Sequence, residues 1–253
     1  MVTTIPQGTV AIITGAAGGL GRSTALRLAQ AGIAVACSDI DLAETRKTAQ
    51  LAADRGTPSL ATRVDVTDAS TIRAWREEVH QTLGRPSLVL NIAGSLDRRM
   101  MDDLDEPGFL RSLAINAGGP YSVIRTFADD LREAGNNGRV VNVASIAAQT
   151  GYPYPGYAAS KAALLNLTRT LLLDFWGSGV TVNAVCPGAM DTPMLKREAL
   201  PGMIAKTPTG RIASPNDVAA AIEFLCSESA ACINGTCLVV DGGATSVFRY
   251  FEE

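Results

Sequence analysis

The chain has 253 residues, 47% hydrophobic and 19% charged, with a single histidine, His80. That balance supports a sizeable core and excludes a disordered chain, and one histidine excludes a multi-histidine metal site and makes any Ser-His-Asp triad depend on His80. The 22 Lys and Arg against 25 Asp and Glu give a net charge of −3 with the signs interspersed, so no clustered positive field marks a nucleic-acid partner.

Proton chemistry is therefore expected from Tyr, Lys, Asp, Glu or Cys. No apolar stretch approaches the ~18 residues of a membrane span. Residues 1–8 lack the basic and apolar regions of a signal peptide, so none is expected. The cysteines are Cys37, Cys186, Cys226, Cys232 and Cys237. Their odd number and the absence of a C-x-x-C predict buried free thiols, hence a reducing, cytoplasmic compartment.

Short apolar runs alternate with longer helical patterns along the whole chain. Residues 10–14 read as a strand and 19–31 as a helix ended by Gly32. Residues 33–38 form a second strand and 42–55 a helix. Residues 59–64 are a third strand, and 69–83 a helix with Asp68 as its N-cap and His80 on a solvated face. Residues 87–91 are a fourth strand, followed by one long helix over 107–134. A fifth strand covers 139–144, a helix 155–176 and a sixth strand 180–185. A helix over 215–226 and a seventh strand over 236–240 close the pattern. Strands such as Val10-Ala11-Ile12-Ile13 are apolar throughout, the mark of a parallel sheet covered on both faces. The expected fold is α/β: one domain over residues 1–253, a doubly wound, Rossmann-like parallel sheet of seven strands. Ligands of such sheets sit at the carboxyl ends of the strands.

The residues after each strand carry the chemistry. After the first comes a glycine-rich turn, with Gly15, Ala17, Gly19, Leu20 and Gly21 as candidate contacts to a pyrophosphate at a helix N-terminus. After the second comes Asp39, which can accept hydrogen bonds from the adenosine ribose and repels a 2′-phosphate. Neither Ile40 nor Ala17 offers a compensating positive charge, so NAD is expected over NADP. Asp39 also has a plain alternative as a helix cap, a role Asp41 fills equally well. After the third strand, Asp65 and Val66 can meet the adenine, or Asp65 and Asp68 simply cap the next helix. After the fourth, Ala93 and Gly94 let a cofactor lie against the backbone, and Asn91 can tie neighbouring strands. Ser145 ends the fifth strand. Tyr157 and Lys161 stand four apart at the start of the next helix and so share one face.

With these residues in view, the chain resembles the short-chain dehydrogenase/reductase family along essentially its whole length. The resemblance rests on the Thr14-to-Gly21 turn, Asn116, Ser145 with Tyr157-x-x-x-Lys161, Pro187-Gly188 with Thr192, and the ending Asp241-Gly242-Gly243. Two departures exist. The fourth-strand motif reads Asn91-Ile92-Ala93-Gly94 rather than Asn-Asn-Ala-Gly. The Ser145-to-Tyr157 spacing is one residue shorter than in many members, which bears on the loop 146–156. The resemblance implies hydride transfer between nicotinamide and a secondary alcohol or ketone. Tyr157 would be the general acid/base, Lys161 would favour its phenolate and hold the nicotinamide ribose, and Ser145 would donate to the substrate oxygen. Asn116 would anchor a water linking Lys161 to solvent. Pro120 has no N–H, so the Asn116 carbonyl is left free in a kinked helix. Pro187, Gly188, Met190 and Thr192 would meet the nicotinamide, and Tyr157 and Lys161 count among the cofactor contacts.

The candidate substrate wall is Leu96, Ala147, Gln149, Tyr152, Met190, Met194, Leu200 and Met203, with residues 190–210 as a lid. It is mostly apolar and shows no carboxylate clamp, which suits a small or medium alcohol or ketone. A 3-oxoacyl thioester reduced with NADPH is the rival substrate reading. A catalytically silent dinucleotide-binding regulator or scaffold is the rival of another class, and a cofactor-independent dehalogenase a third. The helix over 155–176 is apolar on nearly all sides, which with the resemblance predicts a homotetramer. The tail, with Phe248, Tyr250 and Phe251, is expected to pack at an interface. No metal, nucleic acid or membrane partner is expected.

Overall fold

A computed structural model describes residues 4–192, 195 and 197–247. The strands are β1 (Val10–Thr14), β2 (Ala34–Asp39), β3 (Ser59–Arg63), β4 (Leu88–Asn91), β5 (Arg139–Val143), β6 (Thr181–Pro187) and β7 (Cys237–Val240). They form one sheet in the order β3-β2-β1-β4-β5-β6-β7, and every pairing is parallel. The order reverses between β1 and β4, where a crevice opens beyond the strand ends. Successive residues of β1 serve opposite faces. Ala11 and Ile13 join one buried cluster, with Leu28 and Ile222, and Val10 and Ile12 join another, with Trp75 and Phe127. Burial on both sides is why the strands read as apolar runs rather than alternating ones.

The helices are α1 (Gly19–Gln30), α2 (Leu42–Ala53), α3 (Ala69–Thr82), α4 (Glu106–Leu113), α5 (Gly119–Thr126), α6 (Ala128–Ala134), α7 (Pro155–Asp174), α8 (Leu200–Ala205) and α9 (Pro215–Cys226). Their starts have local causes. Asp41 accepts from the Glu44 amide, Asp68 from Ser70, and Ser214 forms a reciprocal cap with Asp217. Since Asp41 caps α2, Asp39 is not needed for that task. Asp65 does not cap α3; its Oδ1 instead accepts from the amide and hydroxyl of Thr67.

The structure corrects three expectations. The single helix over 107–134 is broken into α4, a π-helical turn (Ala114–Gly118), α5 and α6. Gly118, Gly119 and Pro120 weaken the regular ladder, and the Gly119 amide bonds to the Ala114 carbonyl instead. His80 does not stand on a solvated face. Its Nε2 lies 3.0 Å from Oδ1 of the buried Asp130, a carboxylate that accepts from Arg76 at 2.7 Å and Arg85 at 3.0 Å. A buried carboxylate collects such partners because leaving it unpaired is costly. The cysteines are not all free: Cys186 on β6 and Cys237 on β7 are joined as a disulfide. Cys37 and Cys226 are free and buried, with burial pushing each thiol up to about 12, and Cys232 is free and exposed. Among the described residues no helix is long and apolar enough to cross a membrane.

Candidate active site

The crevice at the strand ends is a cavity of about 640 Å³. The turn after β1 forms its floor. Gly15 has φ +73°, and a Cβ there would stand 2.7 Å from the Ala93 amide, so only glycine lets β1 approach the segment after β4 so closely. A Cβ on Gly21 would strike the Gly15 carbonyl, which lets α1 start directly under the turn. By contrast a Cβ at Gly18 would meet nothing within 4 Å, and one at Gly19 only Thr192 at 3.9 Å. The middle of the turn thus faces open cavity. Gly18 caps α1 without a side-chain hydrogen bond, so the first amides of that helix are left to a ligand.

Neighbouring groups hold this floor. Thr14 Oγ1 accepts from the amides of Ile92 and Ala93, both at 3.1 Å, locking β1 to the end of β4. Arg22 donates to the Ala17 carbonyl and pairs with Glu44 at 2.9 Å, bracing the turn from behind. Asp39 accepts from the Ala17 amide through Oδ2 and from Asp41 through Oδ1, each at 3.2 Å. Those bonds fix its carboxylate at the cavity wall, with acceptor capacity left on both oxygens.

The reactive side of the cavity is built from β5, α7 and the π turn. Ser145, at the end of β5, accepts from the Ala147 amide at 3.1 Å and is hydrogen-bonded to the Tyr157 phenol. Lys161 is buried one turn along α7, where it donates to the Val143 carbonyl at 2.7 Å. Its Nζ lies 5.9 Å from the centre of the Tyr157 ring. Burial raises Tyr157 above its ordinary value of 10.0, opposed by the Ser145 hydrogen bond, and lowers Lys161 to about 8. The lowering of Tyr157 expected from Lys161 is thus not found: burial sets the direction, and the one opposing influence is Ser145. Asn116 lies fully buried behind this wall. Its Oδ1 accepts from the Ser95 amide at 2.8 Å, and its Nδ2 donates to the Ser95 carbonyl and to Ser160 Oγ, each at 2.9 Å. Ser160 donates in turn to the Tyr157 carbonyl at 2.7 Å. Gly94 lets these parts meet, since a Cβ there would stand 3.0 Å from Asn116 Oδ1 and 3.3 Å from Lys161 Nζ.

The cavity brings together Gly15, Gly19, Leu20, Gly21, Asp39, Ile40, Asp65, Val66, Ala93, Gly94, Ser145, Tyr157, Lys161, Pro187, Gly188, Met190 and Thr192. Gly188 abuts Asp241, where a Cβ would come within 2.7 Å of that side chain, which is how the chain's Asp-Gly-Gly ending reaches the site. Ala17, Asn91 and Asn116 stand behind the lining. Asn91 ties β4 to β5 by donating to Asn142 at 2.9 Å. The expected substrate wall is only partly there. Leu96 and Met190 line the cavity, but Ala147, Gln149, Tyr152, Leu200 and Met203 do not. Tyr152 packs instead on Tyr157, with ring centres 5.9 Å apart. Met194 and the aromatics of the tail lie outside the described residues. Sequence reasoning missed Ser160, Arg22 and Arg111. Arg111 lines the cavity from α4, and on one helix its charge reads as an ordinary solvated face.

The family model described as enoyl-(acyl carrier protein) reductase matches residues 15–245. The chain is 36% identical to cis-4-hydroxycyclohexanecarboxylate dehydrogenase of Sinomonas cyclohexanicum over 94% of this chain and 97% of that one. It is 33% identical to (3R)-3-hydroxyacyl-CoA dehydrogenase of Canis lupus familiaris (92% and 95% covered) and to cyclohexanol dehydrogenase of Acinetobacter sp. strain SE19 (94% and 95%). A crystal structure described as that of a "putative short-chain alcohol dehydrogenase" from Sinorhizobium meliloti 1021 superposes with a TM-score of 0.90 at 30% identity, covering 96% of this chain and 98% of that one. Motif, sheet order and relatives agree, and the chain belongs to the short-chain dehydrogenase/reductase family of oxidoreductases, acting on hydroxyl or carbonyl substrates with a nicotinamide cofactor.

Proposed function

We propose that the protein interconverts a secondary alcohol and its ketone with NAD(H), using Tyr157 as the general acid/base. The observation that carries this reading is a single cavity lined by the glycine turn, Asp39, Ser145, Tyr157 and Lys161. The open middle of the turn and the uncapped α1 amides suit a pyrophosphate, and Asp39 suits an adenosine ribose with free 2′ and 3′ hydroxyls. Asp65, Ile40 and Val66 would flank the adenine, and Pro187, Gly188, Met190 and Thr192 the nicotinamide end. Bound NAD supplies the hydride acceptor at nicotinamide C4.

The chain's own residues do the rest. Ser145 donates to the substrate oxygen and keeps it beside the Tyr157 hydroxyl. Tyr157 takes the carbinol proton during oxidation and returns it during reduction. The Lys161 ammonium favours the phenolate electrostatically, and Asn116, through Ser95 and Ser160, holds the segments that present these groups. The Asn116 carbonyl, in the π turn before Pro120, would anchor a water that relays the proton. Relatives named for hydroxyacyl-CoA substrates support a thioester as the rival substrate, but Asp39 opposes the NADPH half of that reading. We further infer a homotetramer.

A panel of alcohols and ketones followed by NADH absorbance tests the reading. The expected result is turnover with kcat/KM for NAD at least ~10-fold above that for NADP. Tyr157→Phe should lose at least ~10²-fold in kcat while binding NADH as the wild type does. A preference for NADP, or an active Tyr157→Phe, would overturn the corresponding assignment. NADH binding without turnover across the panel would favour a silent nucleotide-binding protein.

A further inference from the structure

The two bonded cysteines lie behind the reactive wall of the cavity. Cys186 is the β6 residue before Pro187 and Gly188. Its side chain is buried in a cluster with Ala144, Leu165 and Ala184, against which Ala148 and Cys237 pack. Ala144 and Ala148 flank the turn that starts at Ser145, and Leu165 stands one helical turn beyond Lys161. The pair is diagonal across two parallel strands, with Cys186 opposite Val239 and Cys237 opposite Ala184. Their Cα atoms are 6.3 Å apart, within the span of a disulfide. Cys237 is only partly buried, so a soluble thiol or disulfide meets the pair at that sulfur.

A chain of this size with two large buried clusters needs no staple, and β6 and β7 are already joined by their ladder. The consequence of the bond is therefore local. A disulfide holds its sulfurs about 2 Å apart, whereas two thiols need about 3.5–4 Å. The Cys186 side is close-packed and resists displacement. β7 can move, because it is an edge strand of four residues. Its last residue, Val240, accepts from the Gly188 amide at 3.1 Å, and the next, Asp241, abuts Gly188. A shift of β7 is thus passed to Gly188, which lines the cavity beside Pro187.

We propose that Cys186 and Cys237 form a reversible redox site that sets how firmly the Pro187–Gly188 segment holds a dinucleotide, the disulfide form binding it more tightly. It rests on the reading of this cavity as a nicotinamide site. Oxidised glutathione suffices as oxidant. The Cys237 thiolate attacks one of its sulfurs and releases one glutathione. Cys186, giving its proton to solvent, then attacks the Cys237 sulfur of the mixed disulfide and releases the second. Two protein thiols are oxidised to one disulfide, and one glutathione disulfide is reduced to two thiols, which take up the two protons.

Oxidation and reduction of the purified protein test this, with NADH affinity read by calorimetry. Peptide mapping should find the Cys186 and Cys237 peptides linked after oxidised glutathione and separate after dithiothreitol. Reduction should weaken NADH binding at least ~5-fold and speed hydrogen exchange over residues 185–192. Cys237→Ser should bind NADH as the reduced wild type does, and dithiothreitol should not change it. Peptides that never link would overturn the proposal. So would a Cys237→Ser that still loses affinity on reduction. NADH bound equally in both states would overturn it too, while upholding the cofactor reading. If neither state binds NADH, the cofactor reading falls and exchange decides. A segment 185–192 that exchanges faster on reduction then upholds the cysteine pair, and an unchanged one removes it.

Discussion

Burial disfavours charge on both Tyr157 and Lys161, and the site must work against that on each. For Lys161 the fall from 10.5 to about 8 corresponds to a differential interaction on the order of 3 kcal/mol. The ammonium keeps one strong acceptor, the Val143 carbonyl. For Tyr157 the opposing influence is the hydrogen bond from Ser145, which favours the phenolate. That gives Ser145 a second task beyond holding the substrate oxygen. Ser145→Ala should therefore do two things. It should lower kcat at least ~10-fold, and it should move the pH of half-maximal kcat/KM for alcohol oxidation upward. The sign follows from the lost bond: without it the phenol holds its proton to higher pH, and oxidation needs the phenolate. A pH–rate profile that falls in height but keeps its midpoint would limit Ser145 to binding substrate. Tyr157, Lys161 and Ser145 were legible in the sequence because each sits at a fixed offset from a strand end. Arg111 was not, because its partner is a cavity formed by other elements.

At the scale of elements, the interruption between α4 and α5 decides how the site is held. Gly118, Gly119 and Pro120 showed in the sequence that a regular helix could not continue. They did not show that the chain would answer with a π turn, which inserts one residue and so re-aims Asn116. The turn aims the Asn116 amide at the Ser95 backbone and at Ser160, and Ser160 reaches the Tyr157 carbonyl. Ser160 reads as a spacer between Tyr157 and Lys161 in the sequence; only the packing of α7 against the π turn gives it work. We expect it to act as a positioning residue. Ser160→Ala should reduce kcat about 10-fold while KM for NAD stays within twofold, since one misdirected buried hydrogen bond is worth about 1–3 kcal/mol. A fall in Tm with kcat unchanged would make Ser160 only a structural contact. His80 teaches the same lesson. Its own helix is amphipathic, but the Asp130 that it meets arrives from α6, and no periodicity within α3 reports that.

For the whole molecule, the seven strands and the doubly wound topology were legible, since apolar strands alternating with helices admit few arrangements; the order of the strands came only with the structure. How much of α7 one chain can cover was not. The helix spans 20 residues. The sheet side takes Leu164, Leu165 and Leu171 into the core, and Phe175 follows just beyond the helix end. The outward side keeps Leu173 71% and Trp176 84% exposed, and α4 and α5 keep Leu110 53% and Tyr121 44% exposed. Several large apolar groups left on α4, α5 and the end of α7 are exposed area that association would cover. Stable interfaces bury about 800 Å² on each partner, an area a face built from α4, α5 and α7 can supply. We therefore expect light scattering to give four times the chain mass. Placing charge in that face should reverse it: Leu110→Glu with Leu173→Glu should lower the mass to a dimer or monomer, because a carboxylate buried without a partner costs several kcal/mol. A monomeric wild type would show that these side chains remain in water and that the apolar character of α7 serves its own core alone. An unchanged mass in the double variant would place the subunit contact elsewhere on the surface.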